Sequence, residues 1–413
     1  MLGQHLRFRR FGIGTGLPAL VLFLATEAAP AQALAGSTDQ VLHQFLDGKD
    51  GTNPADLAAD NEGHLFGVAR SNGGGGLGTL FELTQTNGVW SFKTIYTFTG
   101  NKAGSSPGAV TVDAAGNLYV SVGQGAYGEI AQFVPNGKGG WKVGKTYDFH
   151  NGGDGAYPNK VYVDASGNVW GSTSAGGIVD GPNGNLGVGW GTVYELSPAE
   201  HGWTEHTIYE FTGNLDGAFP QTNLVIGRNG DVYGGEPYGG TARLGTIFKF
   251  HDTGKGWKRE AVYTFTGVTD GGWPTGKMVI DRAGNIYGET THYTSLVFRV
   301  APPDKGAARG TPWTFTAIGN FGADGAAGVA FDSAGNLDGV AGYGGAGPCG
   351  CGYVFSLTPT ESGAWNENVL WTFGERPDAG SPDGELVAGA GGIVYGVSTR
   401  GGQGYGTVYS VTP

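Results

Sequence analysis

The feature that most constrains this chain is a repeat with several fixed intervals. Six tryptophans are each followed eight residues later by phenylalanine: Trp90–Phe98, Trp141–Phe149, Trp203–Phe211, Trp257–Phe265, Trp313–Phe321 and Trp365–Phe373. An even spacing puts both rings on one face of an extended strand. Two residues before the phenylalanine stand Tyr96, Tyr147, Tyr209, Tyr263 and Trp371, and only Gly319 breaks that pattern. Nine residues after it come Pro107, Pro158, Pro220, Pro274 and Pro382. Phe45 with Pro54 is a further copy without its tryptophan. The copy after Phe321 is shorter and lacks the proline, and its alignment puts Ala327 where the others have the residue before proline.

A short apolar strand then runs into Asp-x-x-Gly-Asn, an aromatic and usually glycine, as in Asp164 to Asn168 before Trp170-Gly171. Asp binds turn backbone and Gly takes positive φ, so this is a hairpin connection. A glycine-rich loop follows, then another strand such as Gly191-Thr192-Val193-Tyr194-Glu195-Leu196. Each unit therefore has four short strands, A to D. Seven A-B-C sets are present, but only six D strands carry the tryptophan. The seventh D strand is Val41–Phe45 near the N-terminus, and the chain ends after a C strand. The reading is an all-β, seven-bladed β-propeller with four-stranded blades, the last blade closed by the N-terminal strand, which leaves no mismatched sheet edges. An open solenoid would need capping repeats.

Composition agrees. The chain has 82 glycines in 413 residues, against a usual share of roughly 7%. That content opposes a helical bundle, because each helix-interior glycine costs about 1 kcal/mol relative to alanine. Collagen is excluded by the missing Gly-X-Y period. Disorder is opposed by 10 Trp, 18 Tyr and 21 Phe, which offer much surface to bury.

Residues 1–35 read as a secretory signal peptide. Arg7, Arg9 and Arg10 form the basic end, Ile13 to Ala25 is mostly apolar, and Ala33-Leu34-Ala35 supplies the small residues of a cleavage site. Residues 36–413 form one propeller domain, expected outside the cytoplasm, without membrane insertion after cleavage, and monomeric. Removing Arg7, Arg9, Arg10 and Glu27 leaves 21 basic against 35 acidic residues, a net charge of −14. Such a balance disfavours nucleic acid as a partner.

The pattern Trp-x7-Phe, Asp-Gly-Ala-x-Pro, Asp-x-x-Gly-Asn-x-Tyr-Gly and Gly-Thr-Val-Phe/Tyr-Glu-Leu resembles the Gloeo/Verruco (GloVer) tandem repeat of secreted bacterial proteins. The resemblance covers residues 41–413 and implies a secreted or surface-attached propeller-like protein. It carries no established activity and no catalytic residues. Ala103 departs from the pattern in place of a crossover Asp, as do Gly227 and Gly389 in place of hairpin Asp.

In a propeller the A–B and C–D turns share one face, and the B–C loops and D–A crossovers share the other. The B–C loops vary most in length, so function is expected on their face. The residues before the crossover prolines in blades 3 to 5 are Tyr157, Phe219 and Trp273, and neighbouring loops add Trp190, Tyr238, His292 and Tyr293. These are the candidate ligand-binding residues: aromatic faces suit the apolar faces of sugar rings, and the expected partner is an extracellular glycan or cell-surface component. The competing role for these rings is to cover the ends of the inter-blade cores. A carbohydrate-active enzyme using His292, Glu289 and Tyr293, and a purely structural surface protein, are the alternatives. The crossover residues Asp50, Asp154, Asp216, Asp270 and Asp378, with Asp324 nearby, could form a cation-binding ring, but repetition in almost every blade favours a local role in each loop. No metal or cofactor is expected. Cys349-Gly350-Cys351 is assigned a structural role, with a local disulfide as one option. Gly104-Ser105-Ser106-Pro107-Gly108 and Gly73 to Gly78 mimic nucleophile-elbow and dinucleotide motifs. The first fails because Pro107 lacks the N–H that an oxyanion hole needs, and the second because a strand follows instead of a helix.

Overall fold

The computed structural model describes residues 36–413 except 101–103, 125, 179–188, 309, 323–324, 347–348 and 375–378. The signal-peptide reading, Ala103, Asp324 and Asp378 therefore lie outside the described residues. Seven antiparallel sheets form the blades of a β-propeller. Blade 1 spans Thr52–Thr97, and its four strands pair in sequence order. Blades 2 to 6 follow the same order, with the innermost strand of blade 3 broken into Ala156–Pro158 and Tyr162–Val163. Blade 7 takes its A to C strands from Ala379–Thr412, and its outer strand is Thr38–Gln44, which pairs antiparallel with Thr407–Thr412. The ring is closed by joining the two ends of the propeller, as the repeat count requires.

The tryptophans explain how blades stack. Each packs against the aromatic that follows the A–B turn of the preceding blade: Trp141 on Phe66 at 5.4 Å, Trp203 on Tyr119 at 6.1 Å, Trp257 on Trp170 at 5.4 Å, Trp313 on Tyr233 at 5.9 Å and Trp365 on Tyr287 at 5.9 Å between centroids. Trp90 on Tyr395, 5.7 Å apart, is the same contact between blades 1 and 7. Each such pair contributes about 0.5–1.5 kcal/mol beyond its area. The one D strand without tryptophan faces the one B strand whose aromatic position is Asp338. There the seam is polar, with a cavity of about 160 Å³ lined by Asp332, Asp338, Ser356 and Asn368 among others. Burial pushes the Asp338 carboxyl up to about 6.

The repeated aspartates act locally. In the A–B turn, Asp164 Oδ1 accepts the N–H groups of Ser166 and Asn168, and Oδ2 accepts from the Asn168 amide and Trp170 Nε1 at 3.1 Å each. Asp113 and Asp281 do the same with a tyrosine hydroxyl in place of the indole. In blade 1 His64 stands in for the asparagine and bonds Asp60 at 2.9 Å, which accounts for the Asp60–Glu62–His64 grouping without a metal. Among the crossover aspartates, Asp154, Asp216 and Asp270 each accept a backbone N–H of their own loop and a hydroxyl from Tyr147, Tyr209 or Tyr263. Asp50 does so with His43, the residue that replaces tyrosine in the N-terminal copy.

The glycine before each C strand is set by the next blade. At Gly245 (φ +100°) a Cβ would come 2.5 Å from both the Glu236 carbonyl and the Pro274 ring. Gly78, Gly128, Gly191, Gly352 and Gly406 sit against the proline of the following blade in the same way. Blade 5 has Thr294 at this position, and blade 6 is the blade without proline. Strand pairing corrects the alignment there: Ala327 pairs with Val340 as Thr275 pairs with Glu289, so Ala326 occupies the proline position. The residue equivalent to Trp273 is Gly325, not Ala327. Its φ of +68° matches the +49° to +57° of Asn53, Ser106, Tyr157, Phe219, Trp273 and Ser381. The crossover is four residues shorter than in the other blades, and the shortened alignment allowed for only two of them.

Candidate functional site

Six pre-proline residues adopt the left-handed conformation, which non-glycine residues seldom enter. Each is held by a hydrogen bond across the blade seam. The N–H of Tyr157 donates to the Tyr127 carbonyl at 2.7 Å, that of Phe219 to Trp190 at 2.8 Å, and that of Trp273 to Leu244 at 2.8 Å. The acceptor is always the residue before the C-strand glycine. One backbone staple thus sets a pre-proline side chain next to the loop of the previous blade, and on blades 3 to 5 both partners are mostly aromatic.

The result is a continuous strip. Trp190 meets Phe219 at 5.4 Å, Phe219 meets Tyr238 at 5.8 Å, and Tyr238 meets Trp273 at 5.4 Å. Trp273 stacks on His292 at 4.0 Å with 12° between planes, and His292 meets Tyr293 at 4.3 Å. Six of the seven candidate residues are joined. Tyr157 is exposed beside Tyr127, and no ring contact links it to the strip among the described residues. Trp190 belongs partly to the core of blade 4 and lies over Gly213, where a Cβ would come within 2.5 Å of its indole. For that ring the core-covering role holds. Phe219, Tyr238, Trp273, His292 and Tyr293 join none of the buried clusters, and Tyr293 is 71% exposed.

Among the described residues, the same face holds most of the large exposed hydrophobics. Of twelve large exposed hydrophobics, ten lie on B–C loops or D–A crossovers, and Val89 and Tyr162 are the exceptions. Tyr127, Tyr343 and Tyr405 belong to this set and were not singled out in the sequence. For Tyr127 and Tyr405 a signal existed, because both occupy the position of Trp190 immediately before a C-strand glycine.

The structure does not assemble His292 with Glu289. Glu289 turns toward the next blade, where Gly328 N–H bonds it, while Glu385 lies close enough to oppose its ionisation. Burial pushes its carboxyl up to about 8. His292 is instead occupied by stacking on Trp273.

The central channel holds a second polar feature. Lys160 Nζ lies 2.9 Å from Asp56 and also pairs with Glu385, whose carboxylate is 3.5 Å from Lys277. Asp56 also accepts the Val110 N–H at 2.9 Å. These residues come from the innermost strands or strand breaks of blades 1, 3, 5 and 7, so the network ties the ring across its axis. Beyond it, a cavity of about 660 Å³ opens toward the A–B turns, lined largely by Leu57, Val112, Ile226, Ile280, Phe331 and Val387. Cys349 and Cys351 form a disulfide within the B–C loop of blade 6. Cys351 supplies the carbonyl that staples Ser381 at 2.8 Å. The pairing therefore stiffens a framework position.

No protein-family model matches this sequence, and no curated protein matches it. Solved structures share its architecture. The extracellular domain of a putative one-component system from B. thetaiotaomicron aligns with a TM-score of 0.55 at 10% identity, over 89% of this chain and 40% of that one. A putative gluconolactonase aligns at 0.46 with 13% identity, over 93% of this chain and 97% of its own. A gluconolactonase from Xanthomonas campestris aligns at 0.43 with 13% identity, over 94% and 95%. This likeness shows the fold alone. Among the described residues, no helix is long and apolar enough to cross a membrane.

Proposed function

We propose that this protein is a secreted carbohydrate-binding propeller that holds an extended glycan along the strip from Phe219 to Tyr293. The observation that carries the reading is the unbroken series of ring contacts on a partly exposed surface that serves none of the buried cores. Sugar rings present apolar C–H faces, and a row of π surfaces receives them while hydroxyls stay in water. The signal-like pattern of residues 1–35 and the GloVer resemblance support a location where glycans are met.

The test is binding of the mature protein to a glycan array, followed by titration of the best ligand. Trp273→Ala and Tyr238→Ala should each weaken binding about two- to tenfold, since one stacking contact is worth about 0.5–1.5 kcal/mol. Their melting temperatures should stay near that of the parent. Affinities unchanged in both variants would overturn the reading. Trp190→Ala is a poorer probe, because it also opens the core of blade 4.

A further inference from the structure

We infer that the glycan taken by this strip is acidic, a uronate-containing or sulfated polysaccharide; the inference rests on the carbohydrate-binding reading. The chain carries 36 acidic against 24 basic residues, yet no described residue of the seven B–C loops is Asp or Glu. Three exposed arginines stand there instead or at the strand ends that feed the loops: Arg243 in blade 4, Arg70 in blade 1 and Arg400 in blade 7. None of the three guanidiniums has an ion pair or a side-chain hydrogen bond among the described residues, while the lysines of the central channel are all paired.

Arg243 is the one tied to the strip. It lies in the loop that carries Tyr238, and it precedes Leu244, whose carbonyl receives the Trp273 N–H at 2.8 Å. The aspartates of the two crossovers that touch this loop, Asp216 and Asp270, do not neutralise it. Asp270 is 3% exposed, and both spend their oxygens on their own loops and on Tyr209 and Tyr263. Glu236, the last residue of the strand before this loop, is fully buried and bonded to Gly239 N–H, Thr246 and Arg259. A guanidinium keeps its charge at any relevant pH and offers a planar fork that fits carboxylate or sulfate. Rings that receive the sugar faces, with an unpaired guanidinium in the loop that carries Tyr238, favour a polymer carrying an anion on its units over a neutral one.

The experiment titrates the mature protein with acidic oligosaccharides (oligogalacturonate, oligomannuronate, hyaluronan fragments) and with neutral ones (cello-, xylo- and manno-oligosaccharides). An acidic ligand should bind roughly tenfold more tightly than the best neutral one, and the margin should shrink as salt is raised. Arg243→Gln should remove most of that margin and leave neutral binding unchanged. Arg70→Gln, three blades away, should retain it. Equal affinity for acidic and neutral ligands, or an equal loss with Arg70→Gln, overturns the inference and leaves the carbohydrate reading standing. Binding of neither class overturns the carbohydrate reading and the inference with it.

Discussion

The two faces of the ring use the same repeat differently. On the hairpin face, the Asp-x-x-Gly-Asn turns satisfy their own donors, and the aspartate ties the turn to an aromatic that supports the next blade. On the loop face the repeat ends in the crossover aspartate, a backbone staple and a Gly–Pro contact, and beyond those points the side chains are free to differ. Stability constrains the first face through side chains. It constrains the second through the crossover aspartates and the backbone, which leaves Phe219, Tyr238, Trp273 and Tyr293 free for binding.

The largest effect is expected where the loop face does depend on the fold. Gly245→Ala forces a Cβ against backbone and the Pro274 ring at a positive φ, and should lower stability by about 3 kcal/mol or more. A thermal melt like the parent's would show that the Gly–Pro contact does not hold the seam. Next, Asp164→Ala should lower stability by about 2–3 kcal/mol, because it strips acceptors from two N–H groups and the indole of Trp170. Tyr238→Ala on the other face should change it by about 0.5 kcal/mol or less. Denaturant curves that reversed this order would collapse the distinction between the faces.

A smaller effect follows from pH. Glu129 and Glu289 have no cation partner, and burial pushes both up to about 8 from an ordinary value of 4.5. Between those values the unfolded chain has released protons that the folded protein keeps. Stability should therefore be fully present below about pH 4.5 as far as these groups are concerned, and should fall as pH rises from there through about 8. Glu289→Gln should flatten the melting temperature between pH 5 and 8, and an unaltered slope would remove Glu289 as a source of it.

Much of this was legible in the residues. The intervals gave seven blades and the closing strand, and the pre-proline positions led to the strip. The Trp-to-aromatic seams left a signal that the sequence reading did not use: tryptophan is missing from one D strand and an aromatic from one B strand, at the seam where the two meet. The exchange of Gly–Pro for Thr294 and Ala326 emerged only from the strand pairing. Each of these follows from a contact that recurs at a fixed interval. The position of Gly325 was misread because a deletion upstream shifted the count.

What the sequence could not decide is where non-repeating side chains meet. Lys160 and Glu385 are 225 residues apart and share the channel only because the ring brings every innermost strand to one axis. Tyr157 has the same local pattern as Phe219 and Trp273, yet it stands apart from their strip, because ring contact depends on which side chain the neighbouring loop supplies. The sequence determined the strand order, the blade count and the turn chemistry, all of which rest on short-range spacing. The tertiary structure decided which rings touch, which charges pair and which arginines remain unpaired, because those depend on how separate blades are brought together in space.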